Sequence, residues 1–362
     1  MREKKMRALP VEYLWDGLVL KDDIYDYTGD VLLVRKGERI TRYGLVKLMG
    51  FYGNDKNVMV SEETFFEIMT DEHVSLEVQQ KVIESHTGYA SLHQDIGKLF
   101  KSHDYETWLG NEKMAPLIKE VSSKLEHFDP LTILSCINFP RPMDEGLQRH
   151  SLNVALLNGM QAEWLGLPKE EADTLVLTGL LHDIGKTKIP EEILNAPRRL
   201  TDEELAIMRM HPIYSDELLM GKFDDNVRLA ARHHHEKLTG TGYPDGIRDE
   251  EIGLYARITA ISDIYDAMVS ARSYKGARLP FNVFDMLYQE EFDGLDRSLV
   301  MNFLKNMRFQ YTNRQVVMSN DRWGEIVYIP INDADHPIIR QDGDIRQTDA
   351  EWYCKEILST AL

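Results

Sequence analysis

The sequence predicts a mainly α-helical protein, a helical bundle flanked by small β-rich modules at its N- and C-terminal ends. Three observations lead there. Residues 10 to 60 alternate apolar and polar positions around glycines, residues 61 to 308 repeat their apolar positions at the helical period, and after residue 309 the alternation returns.

In the first module, residues 1 to 60, the stretches GDVLLVRKGERI and NDKNVMVSEE read as short strands joined by turns. Residues 61 to 135 form a helical connecting region, and residues 136 to 308 form the helical body that carries the chemistry. Its helices are interrupted at GLPKEE, NAPRRL and TGTGYPDG, and Thr201 to Glu204 has the form of a capping box that opens a helix. The closing module, residues 309 to 362, contains three strand-like runs, YTNRQVVM, GEIVYIP and HPIIRQDGD, separated by turn residues. Neither an internal repeat nor a low-complexity tract interrupts this order.

Composition narrows the function classes. A chain of 362 residues with 43% hydrophobic content exceeds the usual single-domain size and can bury a substantial core. The basic start MREKKMR runs into LPVEYLWDG, and no apolar stretch reaches the ~18 to 20 residues that span a bilayer. Neither export nor a membrane partner is expected. Cys136 and Cys354 are the two cysteines, without the spacing of a metal finger or a disulfide framework, which suits a reducing cytoplasm. The net charge of −18 disfavours a nucleic-acid polymer as partner, while leaving room for a small phosphate ligand held by a local cluster of cations.

Five stretches concentrate metal-binding side chains. HHHEKLTGTGYP, residues 233 to 244, sets three histidines before a turn with two glycines, a tyrosine and a proline. Such a run reads either as a solvated helix end or as part of a metal site. In LTGLLHDIGKTKIP the pair His182 and Asp183 ends an apolar helical stretch. Neighbours on a helix point ~100° apart, so the imidazole can serve one ion while the carboxylate bridges to a second. In ARITAISDIYDAM, Asp263 and Asp266 lie about one turn apart on a largely apolar helix, where a carboxylate is costly unless paired or bound to metal. Asp263 is the more inward-looking, and Asp266 can pair with a cation. His150 in QRHSLNVALL and His211 in MRMHPIYSDELL complete an ordered series of imidazoles and carboxylates.

These motifs resemble the HD-GYP group of HD-domain metal-dependent phosphohydrolases: HDIGK at 182 to 186, HHE at 234 to 236 and GYP at 242 to 244 stand in that group's order. The resemblance covers residues 136 to 308, extends to the strand-rich C-terminal stretch often found behind such domains, and implies an HD-type helical metal-hydrolase core. It places metal ligands on His150, His182, Asp183, His211, His234, His235 and Asp263, and leaves His233 as a flanking ring. It also implies cyclic di-GMP as the substrate, and puts Arg272 and Lys275 of ARSYKG at positions that hold a second phosphate.

The chemistry agrees with that assignment. A phosphodiester repels hydroxide, so a catalyst must generate a nucleophile at neutral pH and neutralise charge on the phosphoryl oxygens. Two metal ions ~3.5 to 4 Å apart can acidify a shared water and hold those oxygens. Asp183 is the natural bridge, and Lys186 is near enough on the continuing turn to reach the phosphate. Tyr243 offers a ring for a guanine or a hydroxyl for its edge, presented by a turn that Gly240 and Gly242 permit. Imidazole and carboxylate donors without thiolate suit iron or manganese, with zinc open. Where some members of the group carry a glutamate for a third metal, four residues before His150, this chain has Gly146, which favours two ions.

A second departure falls at Thr239, where the group's HHExxDGxGYP pattern has aspartate. Threonine can cap a turn through its hydroxyl but supplies no charge. The HQDIGK stretch at 93 to 98 is a decoy, read as a solvated face together with His86, His93 and His103. Glu236 is read as supporting the ligands around it rather than joining them. Three functions follow: a phosphodiesterase converting cyclic di-GMP to pGpG and on to GMP, a phosphohydrolase for a hybrid cyclic dinucleotide, or a binding module without turnover. A homodimer is open.

Overall fold

The computed structural model describes residues 146–196, 198–269, 279–290 and 292–357 without other gaps, together with 6–10, 23–25, 32–37, 48, 57–61 and the single positions 115, 116, 119, 121, 123, 133, 134 and 137. Arg272, Lys275, Cys136 and the HQDIGK decoy with His86, His93 and His103 lie outside the described residues.

The alternating N-terminal stretches form short antiparallel pairs. Strand β1 (Met6–Pro10) pairs with β4 (Asn57–Ser61), and β2 (Ile24–Tyr25) with β3 (Leu32–Val34). The body is helical: α1 (Gly146–Trp164), α2 (Lys169–Leu181), a 3-10 turn (Ile184–Lys188), α3 (Glu191–Leu194), α4 (Asp202–Met208), α5 (His211–Leu219), α6 (Asp225–His233), α7 (Leu254–Val269), α8 (Pro280–Tyr288) and α9 (Arg297–Tyr311). Among the described residues, no helix is long and apolar enough to cross a membrane.

Local signals explain the helix starts. Thr201 accepts from the Glu204 N–H at 3.3 Å while the Glu204 carboxylate takes the Thr201 N–H at 2.9 Å, so both halves of the capping box are present. Asp224 caps α6 by accepting from the N–H groups of Asn226 and Val227, and Asp296 does the same for α9 with Ser298 and Leu299. Pro280 sits at the first position of α8, where its missing N–H costs nothing.

Helix α1 packs on both α2 and α7, and each contact has a visible cause. At the crossing with α2, a Cβ on Gly179 would come within 2.5 Å of the Ala155 Cα, so only glycine lets the two backbones approach this closely. Against α7 the contact is polar and antiparallel. Asn158 donates to the Thr259 hydroxyl at 3.0 Å and to the Leu175 carbonyl at 3.1 Å, while Gln161 donates to the Ser262 hydroxyl at 2.8 Å and to the Ile258 carbonyl at 3.2 Å. All four side chains are buried, and the amide donors of Asn158 and Gln161 find their acceptors in one register. That register sets His150 of α1 opposite Asp263 and Asp266 of α7.

The closing strands form a five-stranded antiparallel sheet in the order β8–β7–β6–β5–β9, from β5 (Gln315–Met318), β6 (Trp323–Tyr328), β7 (Ile338–Gln341), β8 (Asp344–Gln347) and β9 (Cys354–Ile357). Helix α9 runs to Tyr311, so the YTNRQVVM stretch is strand only from Gln315. Phe303, Met307 and Tyr311 recur every fourth residue and are buried, and the Tyr311 hydroxyl lies 2.8 Å from that of Tyr265 in α7. This packing holds the last turn helical although its composition favours a strand. One buried apolar cluster continues from Leu152, Leu180 and Ile261 through Phe303 to Val316, Ile326, Ile339 and Trp352, so sheet and helices share a core.

Candidate metal centre

Five segments converge where α1, α2, α5, α6 and α7 meet. His182 closes α2, and Asp183 follows with φ −103° and ψ 10°, a turn geometry that ends the α-helix and starts the 3-10 turn. Lys186 therefore stands on a 3-10 turn and not on a continuing α-helix, and its ammonium donates to Asp183 Oδ2. Gly185 allows this turn to lie against the start of α5: its N–H donates to the Ser215 hydroxyl at 2.9 Å, and a Cβ there would collide with the His211 carbonyl.

The two oxygens of Asp183 face different imidazoles. Oδ2 lies 3.4 Å from His182 Nε2 and 3.5 Å from His150 Nε2, whereas Oδ1 lies 3.1 Å from His211 Nε2 and 3.7 Å from His234 Nε2. His150 Nε2 is also 3.0 Å from Asp263 Oδ1, and His235 Nδ1 is 3.9 Å from Asp263 Oδ2. Two groups could thus each hold a metal ion, His150 with His182 and Asp183, and Asp183 with His211, His234 and His235. Asp183 is common to both.

Four rings are locked with one nitrogen turned inward. His182, His211 and His234 each direct Nδ1 at a main-chain carbonyl, of Gly179 at 2.8 Å, Met208 at 2.7 Å and Ala231 at 2.9 Å. A carbonyl only accepts, so Nδ1 carries the proton and Nε2 presents a lone pair to the centre. His150 Nδ1 meets Asp266 Oδ2 at 2.7 Å, and Asn153 donates to Asp266 Oδ1 at 2.7 Å. Asp266, open in the sequence to pairing with a cation, therefore serves His150.

The residues fit a metal on an observation of their own. Asp183 Oδ1, His211 Nε2 and His234 Nε2 are buried and lack a hydrogen-bond partner among the described residues. Each is an acceptor in this tautomer, and an unsatisfied buried polar atom costs about 1–3 kcal/mol. Three acceptors converging without a donor call for a cation. Nitrogen and oxygen donors without sulfur agree with iron, manganese or zinc.

Protonation points the same way. Burial pushes the Asp183 carboxyl up, but the Lys186 charge leads the influences that outweigh it and hold the group well below the usual carboxylate range. Burial pushes His234 far down and His235 to about 3, so both rings stay neutral and able to bind metal. For His150, burial is outweighed by the hydrogen bonds to Asp263 and Asp266, which raise it to about 9. A positive charge is favoured between those acceptors, whether proton or metal ion.

The HHHEKLTGTGYP stretch divides into distinct jobs. His233 turns from the centre to Asp245 Oδ2 at 3.0 Å, within a chain of ion pairs that links Asp245 through Arg232 to Asp216. Glu236 is buried, and its Oε1 accepts from the N–H groups of Asp245 at 2.6 Å and Gly246 at 3.0 Å, which ties down the turn after GYP. Gly242 packs so close that a Cβ would meet the Glu236 Cα at 2.5 Å. The turn brings Tyr243 to stack on His235, with ring centroids 4.7 Å apart, and burial raises the Tyr243 hydroxyl well above its ordinary value. Thr239 is exposed, and its hydroxyl lies 2.9 Å from that of Thr241 rather than on a main-chain donor. Three contacts escaped sequence reasoning: Asn153 behind Asp266, the Glu236 clamp, and Arg209, whose guanidinium lies 5.3 Å above the Tyr243 ring.

The model of the HD domain family matches residues 117–299, just over half of the chain. The cyclic di-GMP phosphodiesterase response regulator RpfG of Xanthomonas campestris pv. campestris is 45% identical over 122 residues, 33% of this chain and 32% of its own. The 3'3'-cGAMP-specific phosphodiesterase 1 of Vibrio cholerae is 36% identical over 176 residues, 48% of this chain and 41% of its own. The chain thus spans less than half the length of these relatives. In fold it is similar to Bd1817, an HDG"Y"P protein from Bdellovibrio bacteriovorus, with TM-score 0.55 and 16% identity over 84% of this chain and 99% of that one. With HDIGK, HHE and GYP in place around one convergent set of imidazoles and carboxylates, the chain belongs to the HD-domain family, in its HD-GYP group.

Proposed function

We propose that this protein is a metal-dependent phosphodiesterase that hydrolyses cyclic di-GMP to linear pGpG, with GMP as a possible later product. The observation that carries the reading is the placement of Asp183, one oxygen toward His150 and His182 and the other toward His211 and His234. In this reading His150, His182, Asp183 and Asp263 would hold one ion, and Asp183, His211, His234 and His235 would hold a second, with iron or manganese favoured. Bound there, such ions would act as Lewis acids on the phosphoryl oxygens and lower the pKa of water.

The chain's own groups have separable tasks. The locked tautomers of His182, His211 and His234 keep their lone pairs inward without rearrangement. Lys186 lies within reach of both Asp183 and the adjoining solvent, so its ammonium can neutralise phosphate charge as substrate arrives. Tyr243, its hydroxyl kept protonated, offers a hydrogen-bond donor and an aromatic edge beside His235. Arg272 and Lys275 are assigned to the second phosphate of the cyclic dinucleotide on the family resemblance.

A hybrid cyclic dinucleotide is the second reading, favoured by the similarity to the Vibrio cholerae 3'3'-cGAMP-specific enzyme. One experiment addresses both. The protein, loaded anaerobically with iron or manganese, is incubated separately with cyclic di-GMP and 3'3'-cGAMP, and products are separated by chromatography. Faster conversion of cyclic di-GMP to pGpG is expected. Faster loss of 3'3'-cGAMP would favour the second reading, and loss of neither would overturn both.

A further inference from the structure

We infer that Arg209 is a substrate-binding residue whose guanidinium, carried on the Tyr243 ring, holds a phosphodiester of the ligand at the rim of the centre. The inference rests on the phosphodiesterase reading above and names a cation that this reading had not supplied.

Position comes first. Arg209 ends α4 and precedes His211 by two residues, so a short link ties its main chain to a ring of the centre. Its guanidinium carbon lies 5.3 Å from the Tyr243 centroid, and that ring lies 4.7 Å from His235 and 6.5 Å from His211. A series Arg209, Tyr243, His235 therefore runs from the surface to the centre. Arg209 is exposed, as the outermost member must be.

Charge comes second. Arg198, Arg228, Arg232 and Arg257 are each engaged by a carboxylate, of Glu204, Asp216 with Asp225, Asp216 with Asp245, and Asp296 respectively. Arg209 has no carboxylate partner among the described residues, and its guanidinium rests on the Tyr243 face. A guanidinium resting on a ring keeps its N–H edge free and its position restricted, which suits two-pronged binding of phosphate oxygens. The need is plain, because the chain carries a net charge of −18 and the centre adds Asp183, Asp263 and Asp266, all of which repel a doubly anionic dinucleotide.

The recognised chemistry is a phosphodiester oxygen pair. A guanine edge, with two acceptors in a row, could also meet a guanidinium fork, and the test separates the two. Metal-loaded wild type, Arg209→Ala and Arg209→Lys are compared for KM and kcat on cyclic di-GMP and cyclic di-AMP, with metal content measured alongside. Arg209→Ala should raise KM by ~10- to 100-fold for whichever of the two is cleaved, with kcat within ~3-fold and metal per chain unchanged, and Arg209→Lys should fall between. A KM within twofold of wild type would overturn the inference. So would a rise accompanied by metal loss, which marks a structural role, or a weakening for cyclic di-GMP with none for cyclic di-AMP, read as an inhibition constant where cyclic di-AMP is not cleaved, which marks a base contact. If wild type cleaves neither dinucleotide, the phosphodiesterase reading of cyclic dinucleotides fails by itself. Arg209 is then judged on bis(p-nitrophenyl) phosphate and on inhibition by inorganic phosphate, where equal constants in wild type and Arg209→Ala would sink it.

Discussion

Replacing Asp266 by asparagine tests the architecture one contact away from the proposed ligands. Asp266 accepts at both oxygens, from His150 Nδ1 and from Asn153 Nδ2, each at 2.7 Å. Asparagine keeps the shape but turns one acceptor into a donor, so it can satisfy only one of those partners and must oppose the other. A hydrogen bond to a charged group is worth about 1.5–3 kcal/mol, which at 1.4 kcal/mol per decade corresponds to ~10- to 150-fold in an equilibrium constant. Part of this cancels for metal binding, because Asp266 also strengthens the hold of His150 on a proton, and His150 titrates at about 9. A loss of ~10-fold in metal affinity is therefore expected, at the low end of the ~10- to 100-fold typical for groups behind a metal ligand. Only the ion on His150, His182 and Asp183 should be affected. Asp266 meets His150 and Asn153 and none of His211, His234 and His235 among its described contacts, so an ion held by those three rings should stay within ~3-fold. Competition against a chromogenic chelator gives both affinities, and circular dichroism checks the helices. Two unchanged affinities in a folded variant would refute the reasoning, as would equal loss at both sites.

Other substitutions probe the loop and the core. Glu236→Ala frees the N–H groups of Asp245 and Gly246, and because both residues are exposed, water recovers part of the loss. A cost of about 1–2 kcal/mol is expected, read in a thermal melt as a fall of ~2 to 8 °C, and a melt equal to wild type would contradict the clamp. Thr239→Asp should change turnover less than ~3-fold, since among the described residues the threonine hydroxyl meets Thr241 and no ring of the centre; a ~10-fold gain in rate would show that the missing aspartate matters to the ligands. Burial pushes the Cys354 thiol up to about 12, so in the folded protein the peptide containing Cys354 should resist iodoacetamide at pH 8 and react once denatured, as mass spectrometry can follow.

The ligand-like residues were legible because each lies in a short motif at a helix end or on an apolar helix face, where an unpaired polar group stands out. HDIGK and HHE announce themselves in this way. What stayed hidden depends on pairings across long stretches of chain. Nothing near Asn153 in the sequence points to Asp266, 113 residues away, and the apolar neighbourhood of Asp266 shows only that it needs a partner. Arg209 is one arginine beside a helix start, and its meaning arises only when the GYP turn folds Tyr243 beneath it. For the fold, alternation found the strands that carry β-branched pairs, while Tyr311 looked like the beginning of a strand. Its contact with Tyr265 keeps it helical, a tertiary preference that composition cannot show.

The most direct test of the central claim, that one carboxylate serves two cation sites, is elemental analysis of wild type beside Asp183→Asn, each reconstituted anaerobically with iron or manganese and freed of loose metal. Asp183 turns its two oxygens to the two groups of imidazoles, so its loss should weaken both at once. The account predicts two ions per wild-type chain and less than one in the variant, with the helical signal retained. Two ions kept in Asp183→Asn would contradict it.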